Sequence, residues 1–313
     1  MRVEWTTRYQ ARDVPALRDE TARMWSTHIG RAFASADLSR STIYDRDADI
    51  EPTHYAANQT RYLRRAEMYW VSQDMGAILA AATDTMPVTK LYDSDIPFDS
   101  GFVVFEQPME GLDADGPDNK QLQIVALEWN RVTIQRIPCL RIGFYGSSRH
   151  MADEMLAAQA ELKRLYFMGS SSWEIGTSAD DMGLYNNPTP QARDSFLEDR
   201  LLIHSFFFLI QQKIVRQDTQ RASRQQARAA QRAQLPVPDV RILTLRETVV
   251  RDQEEATGGR HVEWQHRWIV SAHWRNQWRP SEGRHVPTLI APYVKGPADR
   301  PLLQRPTVRA WRQ

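Results

Sequence analysis

The chain has 313 residues, 42% apolar and 25% charged, which allows a sizeable buried core and argues against wholesale disorder. Its single cysteine, Cys139, excludes an intrachain disulfide framework and a zinc site built from cysteines. The net charge of +1 conceals a split: residues 1–200 carry 21 Lys/Arg against 30 Asp/Glu, net −9, and residues 201–313 carry 19 against 9, net +10. Either an anionic partner is drawn to the C-terminal third, or the two ends neutralise each other inside one fold.

The opening "MRVEWTTRYQ" lacks an apolar stretch of signal-peptide length, so a soluble, reducing, cytoplasmic setting without a membrane partner is expected. The first ninety residues read as helical. Asp13 is placed to cap a helix with Pro15 in its first turn, running to about Leu38 through Leu17, Met24, Trp25, Ile29 and Phe33. A second helix is expected from about Asn58 to Thr83, with Tyr62, Leu63, Tyr69, Trp70, Ile78 and Leu79 on or near one face. Neither carries recognisable chemistry, and core packing accounts for both.

The period then changes. "SGFVVFEQP" (100–108), "QLQIVALEWNRV" (121–132) and "CLRIGFYG" (139–146) read as three strands of a small central sheet, with an acidic connection at 109–119. A short helix is expected at about 150–164. Residues 167–183 read as a loop with at most one strand; their serines and glycines lack phosphate-loop spacing. The chain contains no G-x-S-x-G nucleophile elbow either.

A long helix is expected from about Ala192 to Ala233. Between Leu201 and Ile210 it is apolar nearly all round, although His204 interrupts that run and its length is half of a membrane span. Further on, Arg221, Arg224, Arg228 and Arg232, spaced three, four and four apart, would line one face before Pro236 and Pro238 end it. Such a row is either a solvated helix end or a stripe for RNA phosphates.

The remainder reads as a separate basic, β-rich module. The division is therefore a mixed helical domain at 1–235 and this module at 236–313, an α+β protein overall. Strands are expected at 239–246, 261–274, 287–297 and 307–311. Five of the ten tryptophans and four of the eight histidines lie from 261 onward. Trp264 and Trp268 are core candidates, whereas Trp278 suits an exposed turn. Arg275, Trp278, Arg279, Arg284 and Lys295, with the helical arginines, are the candidate nucleic-acid contacts, because phosphates need charge and unstacked bases need flat surfaces. No metal-ligand spacing organises His261, His266, His273, His285, Glu263 and Glu282, so neither metal nor cofactor is expected. Two alternatives stay open. One is a metal-free ribonuclease or toxin using His273 or His285 as base, with Arg275 or Arg279 on the scissile phosphate; the other is a structural phage protein.

The His-Trp pair at 273–274, Trp278 after three intervening residues, a Gly-containing polar turn and the strand "IAPYVKG" (290–296) with Tyr293 resemble a known signature. It is the C-terminal end of the family of the second type V-A anti-CRISPR protein, which suppresses production of a CRISPR effector nuclease. The specific match covers about thirty residues. The chain departs from it twice: "IVSA" (269–272) stands where members have Arg-Arg-Gly, and Arg275 where they tend to place an aromatic or His. The resemblance implies a non-catalytic regulator of mobile-element origin. Its implied partners are RNA or the ribosome and a nascent polypeptide, with loss of the mRNA being translated as the outcome.

Overall fold

The computed structural model describes residues 8–40, 50–110, 123–134, 136–148, 164–182, 190–246, 267–270, 272–290, 293–295 and 302–303. The chain forms two compact units, Met1–Leu245 and Arg246–Gln313.

The first unit opens with α1 (Val14–Trp25), whose buried Val14, Leu17, Arg18, Thr21, Ala22 and Trp25 repeat at three- and four-residue steps along one face. The helix expected to continue to Leu38 breaks at Ser26. There the Thr27 hydroxyl donates to the Met24 carbonyl at 2.7 Å, and a new helix, α2 (His28–Arg40), begins. Gly30 makes this tight reversal possible, since a Cβ there would lie 2.4 Å from the Trp25 Cα.

The helix expected over 58–83 is two helices with a strand between them. Helix α3 (Pro52–Arg65) gives way to β1 (Glu67–Val71), and the Ser72 hydroxyl then caps α4 (Gln73–Thr83) by accepting from the Met75 N–H. The segment Met68-Tyr69-Trp70-Val71 is made of strand formers. Once sandwiched between two other strands, its side chains leave alternately to either side. Tyr69 meets Phe206 beneath one face, and the Trp70 indole N–H donates to the Tyr9 carbonyl on the other.

The expected small sheet has seven strands. Beyond β1 these are β2 (Ser100–Glu110), β3 (Gln123–Ile134), β4 (Ile137–Ser147), β5 (Leu165–Glu174), β6 (Val215–Gln220) and β7 (Val240–Leu245). Their order is β5-β4-β3-β2-β1-β7-β6, with β2 to β5 an antiparallel meander. Strand β1 runs parallel to both β2 and β7, and β6 closes the edge antiparallel to β7. The stretch 239–246, assigned from sequence to the C-terminal module, thus supplies an interior strand of the first unit's sheet.

Helix α5 (Pro190–Ile210) ends at Ile210, and the long helix expected to Ala233 does not form. After a turn the chain enters β6, which buries only Val215 and exposes Arg216 to Thr219. A polar edge strand of this kind shows no hydrophobic alternation, which explains why it reads as helix. Among the described residues no helix is long and apolar enough to cross a membrane.

Helices α1 to α3 cover one sheet face and α4 with α5 the other. On the first, Trp25 packs edge-on against Phe167 at 4.9 Å, and its indole donates to the Tyr145 hydroxyl at 3.0 Å. On the second, Trp129 meets Phe207 at 5.0 Å and lies where a side chain on Gly101 would otherwise be. The sheet's core is therefore sealed on both sides.

In the second unit, β9 (His273–Arg279) and β10 (Arg284–Ile290) form an antiparallel ribbon. Strand β8 (Arg267–Val270) pairs with β11 (Tyr293–Lys295) and β12 (Leu302–Leu303). The expected helix at 150–164, nearly all of the loop at 109–119 and the expected strand at 307–311 lie outside the described residues, as do His261, Glu263, Trp264 and His266.

Candidate nucleic-acid interface

The ribbon's pairing decides which side chains share a face, because residues opposite each other project together. Trp278 faces His285, Asn276 faces Pro287 and Trp274 faces Leu289. On the other face Arg279 faces Arg284, Arg275 faces Thr288 and His273 faces Ile290. Trp278 is 52% exposed, and its ring meets the His285 imidazole edge-on at 5.1 Å. Arg275, Asn276 and Gln277 are exposed as well, whereas Val286 and Leu289 of β10 are buried. Strand β9 is thus the outward strand, and among the described strands it pairs with β10 alone.

The basic residues here are less free than their number suggests. Glu282, in the turn between the strands, accepts from Arg279 at 2.9 Å and pairs with Arg284 at 2.7 Å. The hydrogen bond from Arg279, aided by the Arg284 charge, holds the Glu282 carboxyl below its ordinary range. Two guanidiniums on one carboxylate keep a net positive charge, and Arg275 adds a second without an ion pair among the described residues. Gly283, with φ of 62°, supplies the left-handed position that the turn requires.

The three residues named for a ribonuclease, His273, Arg275 and His285, do not share one face of the ribbon. His273 and Arg275 lie on one face and His285 on the other, opposite a residue five positions along from His273. The intervening strand alone is about 17 Å long. The reason is parity: an odd separation in a strand inverts the side. Lys295 and Tyr293 lie in β11, in a different sheet from the ribbon.

The arginine row falls in the first unit and differs from expectation. Helix α6 (Arg224–Arg232) begins only after Ser223, whose side chain accepts from the Gln226 N–H while Gln226 accepts from the Ser223 N–H. Arg221 precedes this cap and pairs with Asp239 at 3.1 Å. Arg224, Arg228 and Arg232 are exposed one turn apart, with no ion pair among the described residues, and the buried residue of α6 is Ala230. Three arginines, not four, therefore form the stripe.

Sequence reasoning missed two buried polar clusters. Arg141 on β4, 1% exposed, donates to Glu128 at 2.8 Å, Gln59 at 3.0 Å and the Tyr55 hydroxyl at 2.8 Å, with Asp37 a further ion partner at 3.8 Å. Burial pushes the Glu128 carboxyl up while Arg141 pulls it down. On the opposite sheet face, Asp199 accepts from the Ser171 hydroxyl, and burial raises its carboxyl to about 7. Nearby on α5, burial and the Arg200 charge push His204 down to about 3, so its imidazole is neutral and apolar in role. A charged residue alone inside an apolar strand, as in "CLRIG" and "VALEW", is the sequence signal for such clusters. Cys139 is buried, and burial raises its thiol to about 11, which leaves it unreactive. Among the described residues no three of His, Cys, Asp or Glu gather as metal ligands would.

Comparison with known protein families and with curated proteins finds no match to this chain.

Proposed function

We propose that the chain is a non-catalytic recognition protein that docks on RNA, alone or in the ribosome, along the outward strand β9 and the arginine stripe of α6. The observation that carries this reading is Trp278. A folding chain buries indoles for their large apolar area, yet this ring stays half in water beside a strand of exposed Arg, Asn and Gln. A single RNA strand lying along the edge of β9 meets Arg275 from one side and Trp278 from the other, so phosphate and base are both served.

Within this reading the setting is the cytoplasm, the second partner is a nascent polypeptide, and the outcome is lowered production of that target. What supports that finer step is the resemblance of His273, Trp274, Trp278 and Tyr293 to the anti-CRISPR signature. The test is co-sedimentation with ribosomes at low salt. Changing Arg275, Trp278 and Arg279 together to alanine is expected to release the protein from the ribosomal fraction. Unchanged co-sedimentation of that triple variant overturns the assignment.

A further inference from the structure

An open groove of about 700 Å³ lies at the end of the first unit's sheet where the strands β1 and β2 begin. Its walls include Arg61, Tyr62 and Arg65 from the end of α3, Phe98 and Asp99 from the approach to β2, and Pro236 from the segment after α6. The volume suits a small ligand.

Charge bookkeeping at this groove is uneven. The acidic residues on its rim already have partners: Glu67 pairs with Arg241 at 3.3 Å, and Asp99 with Arg131 at 3.2 Å. Arg131 is further held by Asp93. Arg61 and Arg65 are exposed, stand one helical turn apart and have no ion pair among the described residues. The site therefore offers two guanidinium forks without a carboxylate partner among the described residues, the geometry that grips a phosphate. The negative end of α3 accounts for basic residues in its last turn, but not for the aromatic walls. Phe98 stays 36% exposed although the Arg241 guanidinium lies over its ring at 4.8 Å, and Tyr62 carries Arg61 at 5.2 Å from its centroid. Rings held in place by cations and left partly in water are stacking platforms for a flat group.

We infer that this groove binds a nucleoside phosphate, free or as one unit of a single strand, with Arg61 and Arg65 on the phosphate and Tyr62 and Phe98 flanking the base. Two flat walls beside two forks fit a base and a phosphate separated by a sugar better than a phosphate attached directly to a ring.

The test is calorimetric titration of the full chain with uridine monophosphate, uridine, inorganic phosphate, a 5′-phosphorylated oligouridylate and a phosphotyrosyl peptide. The monophosphate is expected to bind at least about tenfold more tightly than uridine or phosphate, a gap of one good charge-assisted contact. Arg61→Ala with Arg65→Ala removes that advantage. Phe98→Ala lowers nucleotide affinity and leaves phosphate binding as it was. Binding confined to the oligonucleotide, and still lost with the arginines, identifies the unit as part of a strand. The Arg275, Trp278 and Arg279 triple variant keeps nucleotide binding, which separates this site from the ribbon. The inference is overturned if neither the monophosphate nor the oligouridylate binds more tightly than phosphate, if the arginine variant binds them equally well, or if the phosphotyrosyl peptide binds more tightly than both.

Discussion

At the scale of single residues, Arg141 is the hub of the buried polar cluster on β4. It neutralises Glu128, lies 3.8 Å from Asp37, and its guanidinium also faces the rings of Tyr55 and Phe167. A buried ion pair adds little net stability when intact, but removing one member leaves uncompensated charge in a dry interior. Arg141→Met is therefore expected to cost about 3–5 kcal/mol in urea denaturation, because Glu128 and Asp37 lose their cation. Adding Glu128→Leu should recover part of that loss, and a double variant no more stable than the single one contradicts the account. The charges stand out in the sequence as intruders in apolar strands. Their pairing does not, because Arg141 and Glu128 meet only through the β3–β4 register that places Gly143 opposite Glu128 and Arg141 opposite Asn130.

At the scale of elements, α6 is a nine-residue helix with three exposed arginines and a single buried residue, Ala230. A helix this short is marginal on its own, and the Ser223–Gln226 capping box supplies its start. If the stripe contacts RNA, replacing Arg224, Arg228 and Arg232 by alanine should flatten the dependence of log affinity on log salt by about 2, from roughly 0.7 per lost phosphate contact on a single strand. Fluorescence anisotropy of a labelled oligouridylate across a salt series measures this slope. An unchanged slope means the stripe is only a solvated surface. The spacing of these arginines was readable from sequence because helical period needs no tertiary information. The strand β6 just before them was not, since its single buried residue, Val215, leaves no alternation to detect.

For the whole molecule, the sheet face covered by α5 buries two groups with opposite demands on pH. Asp199 titrates at about 7 in the folded chain against an ordinary 3.8, so its contribution is fully present at low pH and is lost as pH rises towards and through 7. His204, at about 3 against 6.5, acts in the other direction and removes stability as pH falls below 6.5. Asp199→Asn copies the protonated carboxyl and still accepts from Ser171. The melting temperature of this variant relative to the parent chain is expected to rise from pH 5 to about 7 and to level off above it, reflecting a few kcal/mol of relief at the alkaline end. A difference independent of pH across that range contradicts a buried, protonated Asp199.

Local patterning is enough to show the helical faces at α1 and α3, the meander β2 to β4, the apolar centre of α5, and an exposed Trp278 in a basic setting. Each of these follows from local period or from the chemistry of one side chain. Only the folded chain makes 67–71 and 240–245 parallel neighbours inside one sheet, because pairing between strands about 170 residues apart leaves no local trace. It also decided that His273 and His285 part to opposite faces, since the register of a ribbon, not the proximity of its residues in the chain, sets which side chains meet.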